Sequence, residues 1–340
     1  MLLLAACSTT HKSMHSNSEA GNQTEQRKKF ANIGRYTPSK GGNWGKLAAD
    51  PYRRSIELPK NHSLPHNTAK KNFRRLTRKV RKNDVGITWI GHSTFLMKLG
   101  KKWILTDPVF SDHVTPLPPF GPKRLVAPGL KMEDLPKIDA IVISHNHYDH
   151  LDLPSLKRLA VAYPDARVFV PLKNGKLVRR AGFRDIVELD WFEESRLGSI
   201  RLIAVPAVHS SRRRLSDLNR ALWSGWSINT GCQKIYFAGD TADGSFIHLI
   251  RKRLGVHRIA LVPIGAYAPP HVEEGHHATP EQSVAMARVL GASHIVPMHW
   301  GTFALTPEPF TEQRDRYLAA PNRGAKSHLL KIGETILIRR

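Results

Sequence analysis

The sequence predicts an α/β fold in which two packed sheets carry helices on their outer sides. Three observations lead there. Short β-type runs recur from Val85 to the C-terminus, helical segments fall between them, and no internal repeat of roughly 20–50 residues interrupts the order.

Residues 1–7 (MLLLAAC) contain Leu4-Ala5-Ala6-Cys7, which resembles the lipobox of bacterial lipoproteins. That resemblance implies cleavage before Cys7 and acylation of its thiol and new amine. It departs from the pattern in that no Lys or Arg precedes a short apolar run. A lipid-anchored envelope protein is the expectation if the match holds, and a cytoplasmic one otherwise. Residues 8–84 are polar and basic, contain Pro51, Pro59 and Pro65, and show no sustained period. They read as a tether and an arm that packs on the domain without a core of its own.

The domain proper is expected over 85–340. Its β-type runs are 85–90, 93–99, 102–106, 139–144, 167–171, 200–205, 234–238, 259–263, 294–298 and 335–339. Several end directly at His or Asp. Helices are expected at 153–162, 174–181, 245–254 and 280–290. The last opens with Thr279 as N-cap, Pro280 at the first helical position and Glu281 in the first turn.

Composition narrows the function. There are 52 Lys and Arg against 28 Asp and Glu, a formal net charge of +24. The excess lies partly in runs at 27–29, 70–82 and 212–214. Such a surface attracts anionic lipid, nucleic acid or a phosphorylated substrate. Only Cys7 and Cys232 are present, with no C-x-x-C pair, so a metal site has to rest on His and carboxylates. There is no G-x-S-x-G nucleophile elbow, and no apolar run approaches the roughly 20 residues of a spanning helix.

The strongest chemical signal is 141–152, IVISHNHYDHLD. An apolar run ends at Ser144, and His145, His147, Asp149 and His150 follow at once. Alternate side chains of an extended loop point the same way, so His145 and His147 can grip one ion. Asp149 and His150 come as the chain turns toward a helix, and can face a second. Imidazole and carboxylate suit Zn²⁺, and the lack of thiolates leaves Fe and Mn open. A two-metal site needs further donors at similar strand ends. His209, Asp240 and His299 each close such a run, and Gly239 lets the backbone approach closely before Asp240. Together they complete seven ligands.

The order H-x-H-x-D-H, then His, then G-D-T, then a late His resembles the metallo-β-lactamase superfamily, which implies a four-layer αββα sandwich over about 85–340. Eight collinear blocks narrow it: TWIGHSTF (88–95), LTDPVFSD (105–112), GPKR (121–124), ISHNHYDHLD (143–152), VELDWFEE (187–194), FAGDT (237–241), PIGAY (263–267) and HWGTFAL (299–305). These are similar to N-acyl-phosphatidylethanolamine-hydrolysing phospholipase D and its bacterial relatives. The resemblance implies two zinc ions, one held by His145, His147 and His209, the other by Asp149, His150 and His299, with Asp240 bridging. It implies that Asp107 orients a ligand imidazole, that His277 binds a phosphate oxygen, and that Asp149 relays a proton. His92 reads as a packing residue beside the metal loop. A phospholipid or other phosphodiester is the implied substrate, an anionic membrane the implied surface, and a homodimer the common assembly. Nucleic acid fits less well, because the arms of nucleic-acid-processing members are not evident. Hydrolysis of a lactone or another diester, or a non-catalytic envelope protein that binds anionic lipid, are the competing readings.

Overall fold

The computed structural model describes residues 29–33 and 58–340. Two seven-stranded mixed sheets face each other. The first runs, in spatial order, β14 (Thr335–Ile338), β1 (Val85–Gly91), β2 (Thr94–Leu99), β3 (Lys102–Thr106), β4 (Ala140–Val142), β5 (Arg167–Pro171) and β6 (Ile186–Leu189). The second runs β13 (Lys326–Ser327), β12 (His294–Met298), β11 (Ile259–Pro263), β10 (Lys234–Phe237), β9 (Gly225–Asn229), β8 (Ile200–Val205) and β7 (Glu194–Leu197). With seven helices among the described residues on the outer sides, this is the four-layer αββα sandwich expected from the sequence.

Why the strands read as near-continuous apolar runs is visible in their packing. Both faces of the first sheet are buried, so successive residues alternate between two cores. Ile87, Trp89, Phe95, Met97, Val142 and Phe169 point into the space between the sheets. Ile90, Leu96, Ile141, Ile143, Val168 and Val170 point outward. There they meet α2 (Leu153–Ala162) and α3 (Gly175–Ala181), which bury Leu156, Leu159 and Val178 in the same cluster. On the second sheet, α4 (Phe246–Leu254) and α6 (Pro280–Val289) supply Phe246, Ile250, Val284 and Met286. The N-terminus of α6 carries a full capping box: Thr279 accepts from the Gln282 N–H, and the Gln282 side chain accepts from the Thr279 N–H.

Some elements were not evident in the sequence. The helix α1 (His66–Thr77) lies within the stretch expected to lack a period. It buries only Ala69, Phe73 and Thr77, one residue per turn in a strongly basic segment. Its approach is fixed upstream by His62, whose Nε2 lies 3.0 Å from Gly301 O and whose ring packs on Trp89 and Trp300. The edge strands β6 and β7, the strand β9, and the helices α5 (Pro270–Glu273) and α7 (Phe310–Ala319) were likewise unanticipated. The run 139–144 is a strand only over Ala140–Val142, its remainder turning into the loop that carries the histidines. Cys7 and the rest of 1–28 lie outside the described residues, as does most of the expected tether. No described helix is long and apolar enough to cross a membrane.

Phe169 holds the two sheets together from the middle of β5, its ring 6.5 Å from that of Trp226 on β9. Phe169→Ala is expected to lower unfolding free energy by about 3–5 kcal/mol, read as a shift in denaturant midpoint.

Candidate metal centre

Five strand ends converge on one point between the sheets. Asp107 follows β3, the loop 145–150 follows β4, His209 follows β8, Asp240 follows β10 and His299 follows β12. Three of the residues around it hold left-handed backbone: His92 at φ 52°, Asp107 at φ 33° and His299 at φ 64°. Non-glycine residues adopt that region at a cost, and here the surrounding sandwich holds them in it. Gly239 is also left-handed, and a Cβ there would lie 2.5 Å from Ser144 Cβ. This is why glycine precedes Asp240.

The donor atoms form two sets that share one oxygen. In the first, His147 Nδ1 lies 2.9 Å from His145 Nε2 and 3.2 Å from His209 Nε2. Asp240 Oδ2 closes this set at 3.8 Å from His145 Nε2 and 3.7 Å from His209 Nε2. In the second, the same Oδ2 lies 3.0 Å from His150 Nε2 and 3.1 Å from His299 Nε2. Asp149 Oδ2 completes it at 3.4 Å from each of those nitrogens. All seven residues expected as ligands are therefore brought together.

Hydrogen bonding alone leaves this arrangement unsatisfied. His150 Nε2, both nitrogens of His299 and Asp240 Oδ1 are buried without a hydrogen-bond partner among the described residues. Such orphans are costly unless something else occupies the space they face. Ligands of a tetrahedral ion with bonds of about 2.0–2.1 Å stand roughly 3.3 Å apart, which matches the spacing in both sets. The residues present fit divalent cations.

The groups behind the donors fix which nitrogen faces inward. His209 Nδ1 donates to His276 O at 2.9 Å, leaving Nε2 free for the centre. His150 Nδ1 donates to Asp107 Oδ2 at 2.7 Å, and the same carboxylate accepts from the Ser144 N–H and hydroxyl. His92 is more than packing: its Nε2 donates to Asp149 Oδ2 at 2.9 Å, and its ring lies 4.1 Å from that of His299. His277 is buried with Nδ1 unpartnered, its ring 5.2 Å from His209 and 5.1 Å from His299, between the two sets.

Electrostatics follow from burial and from the two carboxylates. Burial holds His145 and His209 well below the ordinary imidazole range, and takes His277 down to about 3. Burial pushes His150 and His299 the same way, but Asp240 and Asp149 overcome it. His299 is carried up to about 9. Asp149 and Asp240 stay well below the usual carboxylate range despite burial, His150 being the largest favourable influence on each.

One contributor had no sequence signal. Asn32 Oδ1 accepts from the backbone N–H of His209 and from Trp223 Nε1, each at 3.0 Å. Beside it the Phe30 N–H donates to Asn219 O at 2.8 Å. A residue 177 positions before His209, inside the expected tether, thus braces a ligand-bearing loop.

Comparison with known proteins agrees with this geometry. The Beta-lactamase superfamily domain model matches residues 102–300. The chain belongs to that superfamily. Among relatives, N-acyl-phosphatidylethanolamine-hydrolyzing phospholipase D 1 of Caenorhabditis elegans is 38% identical over 241 residues, covering 67% of each chain. A metal-dependent hydrolase of Rubrobacter xylanophilus is 29% identical over 261 residues, 74% of this chain and 95% of that one. Among solved structures, the metallo hydrolase Igni18 of Ignicoccus hospitalis superposes with TM-score 0.58 at 23% identity, over 76% of this chain and 99% of its own. This superfamily member is a metal-dependent hydrolase with a candidate metal site built from His and Asp.

Two outcomes follow. In the metal-free protein His150 and His299 carry protons at neutral pH, and those protons must leave before the nitrogens can ligate. Metal affinity should therefore rise with pH toward about 9 for His299, by about tenfold per unit for each proton displaced. Chelator competition across pH reads this, together with proton release on loading. Asn32→Ala, which removes the acceptor of the His209 N–H, should weaken metal retention by about 3- to 10-fold and lower the thermal transition of the metal-free protein by a few degrees.

Proposed function

We propose that this hydrolase is a phospholipase D-type phosphodiesterase that uses two zinc ions to cleave N-acyl-phosphatidylethanolamine or a related phospholipid. The observation that carries the two-metal part is the sharing of Asp240 Oδ2 between two complete donor sets. The phosphodiester part is supported by 38% identity to the worm enzyme along the sandwich, and by a net charge of +24 that favours an anionic substrate.

His145, His147 and His209 would hold one ion, Asp149, His150 and His299 the other, and Asp240 both. Bound there, divalent cations supply Lewis acidity to a phosphoryl oxygen and lower the pKa of water. The remaining work falls to the chain. Ligands other than His147 and Asp149 are buried, so the substrate phosphate enters over these two. Water adds to phosphorus and the bond from phosphorus to the head-group oxygen breaks, leaving phosphatidic acid and the head-group alcohol. Asp149, aimed by the His92 N–H, takes the proton from water and passes it to the departing head-group oxygen. His277, kept neutral by burial, offers one N–H to a phosphoryl oxygen. Cys7, which resembles a lipoprotein acylation site, would place the enzyme at the envelope membrane; fatty-acid labelling lost in Cys7→Ser reads that directly.

Asp240→Asn should abolish metal retention and lower turnover of a phospholipid panel by about 100-fold or more. His277→Ala should lower turnover by about 10- to 100-fold with metal content unchanged. Wild-type protein purified without metal, or Asp240→Asn turning over normally, would sink the mechanism. Hydrolysis of lactones with no phospholipid cleaved would redirect the substrate reading alone.

A further inference from the structure

Five of the eight exposed large hydrophobic residues among those described lie on two loops beside the metal loop: Leu117, Phe120, Leu125, Leu215 and Leu218. Singly, such residues are ordinary. Their concentration, and the way each loop is built, are not.

The first loop is a finger. Val114 N–H donates to Pro122 O, the Arg124 N–H donates to Asp112 O, and His113 pairs with Lys123, so its two sides are tied together. At the root the Arg124 guanidinium donates to Val109 O and lies over the Phe303 ring. The tip from 116 to 121 (PLPPFG) is uncharged and wholly exposed, with Leu117 at 69% and Phe120 at 76%. The second loop turns on Asp217, whose Oδ1 accepts from the N–H groups of Arg213 and Arg214. That turn displays Leu215, 91% exposed, with Arg212 and Arg214 just before it in the chain. Its root is bound to the metal loop, because the Arg213 guanidinium lies 3.8 Å over the Tyr148 ring and donates to Asn146 O and Leu151 O. A cavity of about 440 Å³ separates the fingers, walled by Thr115, Pro116 and Pro118 on one side and Arg213 on the other, with Tyr148 and Asp152 among its lining.

We propose that these two fingers form a membrane-docking surface, Leu117, Phe120 and Leu215 entering the acyl boundary while Lys123, Arg212 and Arg214 meet anionic headgroups. Rigid apolar tips ringed by cations match the two components of interfacial binding, apolar burial and attraction to anionic lipid. A second copy of the chain fits worse. Two-fold pairing through this patch brings two copies of the same cationic rim together, a like-charge juxtaposition that costs energy. The docking surface rests on the lipid-substrate reading for its purpose, since it brings a phospholipid layer to the loop that carries His145–His150. It does not rest on that reading for its test.

The test uses metal-loaded, full-length Cys7→Ser protein, so that no acyl anchor contributes. Sedimentation with phosphatidylcholine vesicles, with and without phosphatidylglycerol, measures binding with no reference to turnover. The protein is expected to partition onto the anionic vesicles and less onto the neutral ones. Phe120→Asp/Leu215→Asp should reduce that partition at least tenfold with metal content and thermal transition unchanged. Phe120→Trp, in the otherwise same protein, should show an emission blue shift on anionic vesicles that brominated acyl chains quench. Failure of the protein to bind anionic vesicles, or equal binding by the double variant, overturns the proposal. So does a dimer that the double variant dissociates in the absence of vesicle uptake. Intact binding with no phospholipid hydrolysis would instead sink the substrate reading and leave the docking surface standing.

Discussion

Asp240 puts a single carboxylate oxygen within 3.0–3.8 Å of four imidazole nitrogens on three different segments of the chain. Most of what is unusual in this molecule can be traced to that convergence. Nitrogen lone pairs facing one another in a buried space repel, and buried polar atoms without partners cost free energy. The arrangement persists because two well-packed sheets fix the strand ends before any ion is considered, and because cations complete the coordination once present. The fold and the site are therefore one construction: the core positions the donors, and metal binding stabilises the positions the core imposes.

The supporting residues show where the cost is carried. His92, Asp107 and His299 sit in left-handed backbone, and Gly239 occupies a position in which any Cβ would collide with Ser144. Asp107 is wholly buried and satisfied by Ser144 and His150. His92 and Asn32 act through the residues they touch, the first by aiming Asp149 and the second by bracing His209. His92 touches the donor oxygen of Asp149 and Asn32 the backbone of His209, and each restricts how far a donor can turn.

How much of this the sequence disclosed differs from element to element, for reasons that lie in the side chains. Strands buried on both faces, such as β4 (AIV) and β5 (RVFVP), announce themselves because nearly every residue is apolar. The edge strand β6 (IVEL) is short, half exposed and broken by Glu188, and β7 (ESRL) is mostly polar, so no long apolar run marks either. The strand β9 (GWSIN) is buried but begins with glycine and carries a polar alternation that a loop shares. Helix α1 hides a stripe of three buried residues in a cationic segment, and α7 buries only Phe310, Gln313 and Tyr317. A one-residue-per-turn stripe is too thin to separate from a solvated segment without seeing what it packs against.

By itself the sequence determined the donor inventory. His and Asp at the ends of apolar runs, with the spacing H-x-H-x-D-H, specify local chemistry, because alternation along an extended segment is a property of adjacent residues. The run of strands and helices suited two packed sheets without requiring them, and it was the resemblance of the motif blocks that implied the αββα sandwich. The resemblance implied how the donors would divide between two ions, with Asp240 between them. Only tertiary structure set one oxygen of Asp240 beside both donor sets, showed that His92 donates to Asp149 rather than merely packing, and brought Asn32 to brace His209 from far upstream. Those facts depend on distances between segments dozens to hundreds of residues apart. Such distances are set by the register and stacking of two sheets, and no local pattern encodes them.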